Sequence, residues 1–472
     1  MSNRDRLSRV DYLHSQLSGN QDKLNENLSY YEATRRLSSL GVSIPEEMRV
    51  LSASVGWPGQ YIRALISRLR PEGFRMGGST KTDERLWGWW KDNRLISRSR
   101  QLHTEVLVHG RAYVSIAAPD PKNLLANPET PRIRPESPKN VWAEIDPVTD
   151  EVLQAVRVYK SSNSANARAA TVLLPDETVL YERPTEGGQW EVKRVIEHGL
   201  GVPPIVPFLN NPGLHDGEGR SAITKPLRDQ TDTATRLFMT MSGTAELMAV
   251  PQRLLFGVAE EALRANPEDP SSVLEAYLAR IIAIENPEGS AFQFMAAELR
   301  NFVEGLQEVT RFAAAETGLP PQNLSLAADN PASADAIRAS QDRIIGTVEE
   351  LQDDLGDGWE QVNRIGLLVM DDKLPDAARR METVWRNAAT PTLSAKADAV
   401  TKLVSTTTQD GKQLVPTPRA RIDLGYSPEE RQEMERWDRE SPSSVLGALT
   451  RPEFQTPGQQ ATNDNQEAEE VA

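Results

Sequence analysis

Cysteine is absent from the 472 residues, which excludes disulfides, thiol nucleophiles and thiolate metal sites. Histidine is scarce. No two of His14, His103, His109, His198 and His215 have the i, i+4 spacing of a helical zinc site, and no HExxH occurs. No apolar run approaches the roughly 18 to 20 residues of a membrane span. The N-terminus MSNRDRLSRV lacks the apolar stretch of a signal peptide, so no membrane partner is expected. There is no GxxxxGK[ST] phosphate loop and no GxSxG elbow. Gly217-Glu-Gly219 precedes a helix but lacks the rest of a dinucleotide fingerprint. The expectation is a chain that is not an enzyme, with no catalytic residue, no metal and no cofactor. Positive charge is also in deficit. Lys and Arg number 53 against 68 Asp and Glu, a net charge of −15. A protein that grips duplex DNA needs cations to replace the phosphate counterions, so a simple DNA-binding module is disfavoured. A protein that touches DNA without holding it is compatible with this balance.

What is present is enough to fold. Apolar residues make up 38% of the chain and charged residues 26%, and the length suggests two to four packed units. Residues 4–40 read as two helices, with Asn20 as a cap and Gly41 as the end of the second. Pro58 opens another helix with Tyr61, Ile62, Leu65, Ile66 and Leu69 on its apolar face, broken by Pro71-Glu-Gly73. One helix is expected over about 82–109, stopped by Gly110. The period then changes. Ala112–Ile116, Val141–Ile145, Val152–Tyr159, Thr171–Leu174, Thr178–Tyr181 and Trp190–Ile196 read as short strands of one antiparallel meander. Residues 119–138 and 161–169 read as loops, and 203–212 as an extended proline-rich connector. Helices follow at about 220–249, 296–317 and 332–370, with mixed short structure between 250 and 294. From about 440 the chain is polar and is expected to be disordered. Helices followed by strands indicate an α+β, helix-rich fold.

The 332–370 segment carries the clearest pattern. Ile337, Ile344, Val348, Leu351, Leu355, Trp359, Val362 and Val369 fall within a band of about 80° on a helix. Asp342, Glu349, Asp353 and Glu360 fall within about 40° of one another on the opposite side. An amphipathic helix with a solvated acidic face is the plain reading. Gly356 and Gly358 are places where it could kink and turn Glu360 away. Trp87, Trp89 and Trp90 could stack bases, but such clusters more often belong to a core or subunit interface.

Several segments resemble the portal proteins of tailed phages, in particular those of phages of actinobacteria. They are Leu28-Ser-Tyr-Tyr-Glu32 with Leu40-Gly-Val and Ile44-Pro, then Pro71-Glu-Gly-Phe-Arg75. Val202-Pro-Pro-Ile-Val-Pro-Phe-Leu-Asn210 with Gly219-Arg-Ser221 follows. Val384-Trp-Arg-Asn-Ala-Ala-Thr-Pro391 leads into Lys396-Ala-Asp-Ala-Val-Thr-Lys402, and Ile422-Asp-Leu-Gly-Tyr426 with Glu429-Glu-Arg431 completes the series. The resemblance runs in order over about residues 25–440.

It implies a ring, usually of twelve subunits, at one capsid vertex, with wing, stem, clip and crown around a channel for double-stranded DNA. The implied wing is 1–218, the stem helices 219–249 and 295–318, and the clip 250–294. The channel loop would be 319–331, with Leu319, Pro320, Pro321, Gln322, Asn323, Leu324 and Asn330. A long kinked helix and wing return would occupy 332–420, and a short crown with an acidic tail 421–472. Asp342, Glu349 and Asp353 would form an acidic ridge facing the channel. Implied partners are the terminase large subunit, which docks on the clip, a head–tail connector, and the major capsid and scaffolding proteins. The implied location is the virion, with assembly in the host cytoplasm. Other readings are a different virion protein, such as a capsid or connector subunit, and a hydrolase using paired carboxylates on helix 332–370.

Overall fold

The computed structural model describes residues 2–35, 54–160, 168–185, 188–215, 217–249, 253–256, 281–284, 299–324, 334–389, 393–406, 414–426 and 428–440. The chain divides into two compact units, Met1–Ala389 and Thr390–Ala472. The expected 332–420 segment contributes to both.

The first unit opens with α1 (Asn3–Gly19) and α2 (Gln21–Tyr31). Ser2 caps α1 by accepting from the Asp5 N–H. Asn20 does not cap α2. Its side chain donates back to the Gln16 carbonyl at 3.0 Å and so closes α1. The expected end at Gly41 lies outside the described residues. In α3 (Trp57–Ile66) Pro58 occupies the first turn, and Ile62, Leu65 and the following Leu69 are buried. The Pro71 break leads directly into β1 (Pro71–Arg75).

The single helix expected over 82–109 is two, α4 (Glu84–Asp92) and α5 (Leu95–His109). Arg94 adopts a left-handed φ of 57° between them. Asn93 fixes this break. Its side-chain amide donates to the Trp89 and Pro131 carbonyls and its oxygen accepts from the Ile133 N–H. That long-range anchoring has no local sequence signal. Gly110 ends α5 with φ 86°, where a Cβ would meet the Gly219 carbonyl oxygen at 2.5 Å.

The strands are β2 (Arg111–Ala117), β3 (Arg132–Glu136), β4 (Val141–Ile145), β5 (Val152–Lys160), β6 (Arg168–Leu173), β7 (Glu177–Arg183), β8 (Glu191–Glu197) and β9 (Ile205–Leu209). Five of them form the expected meander, in order β4-β5-β6-β7-β8. The first expected strand does not join it. β2 is the centre of a separate sheet of order β3-β2-β9, and both partners come from stretches read as loop and connector. The physical reason is proline placement. Pro135 and Pro207 cannot donate to a ladder, yet each lies in an edge strand of this sheet, where proline is tolerated.

Helix α1 covers one face of the meander, with Val10 and Leu13 packed on Val156, Val172, Val179 and Trp190. Arg6 pairs with Glu177 at 2.6 Å. On the other face Ala143, Ala155 and Leu173 meet Tyr113 and Ile205 of the smaller sheet.

Then come α6 (Lys225–Ala249), the parallel pair β10 (Arg253–Phe256) and β11 (Ile281–Ile284), and α7 (Leu299–Thr317). Thr224, just before α6, donates to Glu316 near the end of α7 at 2.6 Å, so the two helices run antiparallel. A short helix α8 (Pro321–Leu324), the long α9 (Ala334–Asp371), a 3-10 turn at Asp376–Arg380 and β12 (Glu382–Trp385) follow. β12 pairs antiparallel with β1. The largest core gathers Trp57, Phe74, Trp89, Trp90, Phe208 and Trp359.

The second unit comprises α10 (Leu393–Ser405), α11 (Thr417–Leu424) and α12 (Pro428–Glu440). Gly425 closes α11 with φ 93°, and Arg421 pairs with Asp438 at 2.7 Å. The polar tail from 441 lies outside the described residues.

Candidate functional site on the long helix

The apolar band of α9 is buried as its spacing requires. Ile344, Val348, Leu351, Leu355, Trp359 and Val362 are all in the core, and Val369 is partly buried against it. The Ile337 side chain lies outside the described residues. Trp359 is the centre of the packing. Its ring lies 4.7 Å from Trp90 and 5.0 Å from Phe208, edge to face. Its indole N–H donates to His103 Nε2 at 3.0 Å. Burial pushes the His103 pKa down to about 3, so the imidazole is neutral and accepts through Nε2. Trp89 and Trp90 are buried and Trp87 stacks on Trp90, so this cluster is core and not a base-stacking platform.

Gly356 and Gly358, the two glycines at the expected kink, both lie at close packing contacts. The helix continues through both. A Cβ on Gly358 would stand 2.6 Å from the Phe208 ring, and one on Gly356 would stand 3.3 Å from Trp385 Nε1.

Asp342, Glu349 and Asp353 are exposed on one side of α9. Glu360, the fourth acid of that side, is not part of the ridge. It pairs with Arg364 at 3.0 Å and accepts from the Thr383 N–H at 3.1 Å, because β12 passes there. Burial pushes its carboxyl up, and the Thr383 and Arg364 donors draw it back. A second acidic stripe, Glu350, Asp354 and Asp357, runs alongside and was not singled out from sequence; its 4 and 3 spacing was the available signal. The Asp354 carboxyl is raised by burial, held back by the Asn211 N–H, and raised further by Asp357, Asp353 and Glu350. Among the described residues no basic side chain pairs with Asp342, Glu349, Glu350, Asp353 or Asp357.

The expected loop at 319–331 begins anchored. Leu319 and Leu324 are buried in the core, Pro320 is buried, and Pro321–Leu324 forms the short helix α8. Trp57 Nε1 donates to the Leu324 carbonyl at 3.2 Å. Pro321 and Asn323 are exposed, and Gln322 lies within α8. Residues 325–333, with Asn330, lie outside the described residues. Gly318 turns the chain with φ 67° against the stem of Arg343, which donates to the Ala315 carbonyl. The described part of the expected loop, residues 319–324, is thus anchored to the core.

Helices α6 and α7 expose large apolar groups, Phe238, Val303 and Phe312, the last 62% accessible. A clamp ties α6 to the N-terminal helices. The Tyr30 hydroxyl donates to Asp232 at 3.0 Å, while Arg35 and Arg228 lie over its ring at 4.5 and 5.3 Å. Burial and the Asp232 bond push the Tyr30 pKa up to about 12. Among the described residues no cluster of His, Asp and Glu could hold a metal ion, and no helix is long and apolar enough to cross a membrane.

A pair of antiparallel sheets, an antiparallel helix pair and a long amphipathic helix follow one another in the chain, and residues 9–443 match a family described as phage portal protein, SPP1 Gp6-like. The chain belongs to that family of portal proteins. It is 44% identical over 441 residues to the portal protein of Mycobacterium phage D29, covering 93% of this chain and 90% of the relative. With the portal protein of Mycobacterium phage L5 it shares 45% over 428 residues, covering 90% and 87%. Two solved assemblies, a virion and a neck of a gene transfer agent particle, contain chains loosely like this one. They have TM-scores of 0.39 and 0.38 at 13% and 12% identity, each covering 84% of this chain and 98% of theirs.

Proposed function

We propose that this chain is the subunit of a closed portal ring through which double-stranded DNA enters and leaves the capsid. The observation that carries the reading is the family match over residues 9–443, with relatives named portal protein at 44% and 45% identity. A conduit needs a hole on a symmetry axis, and so a cyclic ring with heterologous interfaces. The ring size is twelve in this reading, with α6 and α7 as the stem. The exposed Phe238, Val303 and Phe312 support it, because apolar groups of this size on a helix pair suit contacts with neighbouring copies.

The terminase large subunit docks on the clip, residues 250–294, and supplies the energy for transport. A head–tail connector later takes the same place, and the wing meets the major capsid and scaffolding proteins. The loop beyond Leu324, with Asn330, projects toward DNA. Asp342, Glu349 and Asp353 present acidic rings to the channel or its mouth. Duplex DNA carries one negative charge per roughly 1.7 Å, so acidic rings let it slide where cationic rings would hold it.

The test is the mass and symmetry of the purified protein, by native mass spectrometry and electron microscopy. Rings with a central hole and cyclic symmetry are expected. A strictly monomeric or dimeric species at every concentration overturns the reading.

A further inference from the structure

Three arginines crowd around one carboxylate on the two sheets. Glu136 of β3 is 5% exposed in its side chain, and its Oε1 lies 3.3 Å from Arg134 Nε and 3.2 Å from Arg157 Nε. Ser115 Oγ donates to the same oxygen at 3.1 Å. Arg132 stands two residues before Arg134 on β3, exposed, and adds its field to Glu136. Arg157 lies over the Tyr159 ring at 5.0 Å, which holds its guanidinium in place. Among the described residues no other carboxylate pairs with these three guanidiniums. The cluster is thus a patch carrying two more cations than anions, on a chain of net charge −15.

A free polyanion does not suit it. The overall negative field repels duplex DNA at a distance, and two uncompensated charges cannot offset that. Carboxylates delivered by an interface do suit it, since Arg134 and Arg157 already pair with the Glu136 carboxylate. The same chain carries such carboxylates. Glu350 and Asp357 flank Asp354 on α9, exposed and without a basic partner among the described residues.

The two patches lie on opposite sides of one rigid sheet. In the order β3-β2-β9, Arg132 and Arg134 belong to one edge strand. Helix α9 crosses this sheet. Gly366 approaches Pro131, just before β3, and Gly358 packs on Phe208 of β9. Asp354 then accepts from Asn211, just past β9. At about 1.5 Å per residue, Asp354 and Glu350 lie roughly 18 and 24 Å along the helix from Gly366. In β3, Ile133 faces the core that α9 packs on, so Arg132 and Arg134, one residue to either side of it, face the other side of the sheet, away from α9 and its acidic stripe. Complementary charges on opposite sides of a subunit are what a head-to-tail interface needs.

We infer that Arg132, Arg134 and Arg157 of one copy dock against the Glu350–Asp354–Asp357 stripe of the next copy and help close the ring. This rests on the ring reading above. The like-charge crowding that raises Asp354, after its burial, is relieved when cations arrive there.

The experiment is a charge swap in the full-length chain, with assembly followed by mass photometry against concentration and salt. R132E/R134E and E350R/D357R should each raise the concentration needed for rings about tenfold, since each reverses surface pairs worth a fraction of a kcal/mol apiece. The combined four-residue variant should return to within about threefold of wild type. Added salt should narrow all these differences. Circular dichroism reports whether each variant is folded. If a reversal does not fold, R132Q/R134Q and E350Q/D357Q replace it, with a loss of about threefold expected. Wild-type assembly in either neutral or reversed variants overturns the inference, and so does a combined variant no better than either half. Failure of the wild type itself to form rings would instead break the underlying ring reading.

Discussion

Between Leu355 and Leu367, α9 is buried on most sides: Trp359, Val362, Asn363, Ile365 and Leu367 are all buried, and Phe208 of β9, β12 and the tryptophans of α4 pack against this stretch. Between Asp342 and Asp353 only Ile344, Val348, Leu351 and Gln352 are buried, and the acids face outward. One continuous helix thus changes from core element to surface element within two turns. The first half can vary its outer face at little cost to folding, whereas the second half tolerates almost nothing. That division leaves the charge of the outer face free to change while a packed core fixes the helix in position.

The sharpest test of the division is Trp359→Ala. Removing an indole packed between Trp90, Phe208 and His103 should cost about 3–5 kcal/mol, as large aromatic truncations in cores do. Trp359→Phe keeps most of the packing but leaves His103 Nε2 without its donor, and should cost about 1–3 kcal/mol. Denaturant midpoints at constant slope are the measurement. A loss under about 1 kcal/mol for the alanine variant would show that this half of the helix is not the core element its burial suggests.

The same contact makes the packed half acid-sensitive. The folded-state pKa of His103 is about 3, below its ordinary 6.5, because burial disfavours the imidazolium. Above pH 6.5 it contributes no pH dependence. As pH falls from 6.5 toward 3, the unfolded chain binds a proton that the folded chain refuses, so stability falls. His109, lowered to about 4 by burial and Lys139, acts in the same direction. Raised carboxyls such as Glu360 act oppositely, so the comparison must be with a variant. His103→Gln should lose about 1–2 kcal/mol at pH 7, and about 2–3 kcal/mol less than wild type between pH 7 and pH 4.5. Parallel pH profiles for the two proteins would break the assignment.

The halves also differ in how much of them is legible in sequence. The apolar band of α9 follows from spacing alone, because 3.6-residue periodicity survives any context. Asp342, Glu349 and Asp353 are exposed as their spacing suggests, but Glu360 is not, since β12 comes from residues 382–385 and no local pattern announces it. Nothing near Gly358 in sequence announces that Phe208 packs against it. Likewise β3 and β9 are hidden by Pro135 and Pro207, whose edge positions only the sheet order explains. Leu319 and Leu324 mark loop residues by neighbourhood yet core residues by chemistry, and chemistry prevails. Local periodicity was readable; long-range partners were not.

The smallest expected effect on folding belongs to the exposed half, and there function should move instead. Glu349→Lys and Asp353→Lys each replace a side chain that is exposed and has no basic partner among the described residues. Their stability should stay within about 0.5 kcal/mol of wild type, since no packing or burial changes. In the proposed ring of about twelve copies, however, each substitution would remove a dozen repelling charges and add as many attracting ones. If a few of these lysines reach phosphate together, each contact adds about 0.9 to the log–log slope of DNA retention against salt. Mutant rings should therefore hold duplex DNA at low salt, release it at high salt, and package more slowly. Asp342→Lys, on the same side of the helix, should add to the effect, whereas Glu360→Lys should instead unfold the contact with Thr383 and Arg364. Retention measured against salt for wild type and both variants, beside a packaging assay, separates the outcomes. Wild-type packaging with no new salt-dependent retention in either variant would leave the ridge an ordinary solvated face and place the channel lining on other residues, with the contrast between the halves of α9 reduced to one of packing alone.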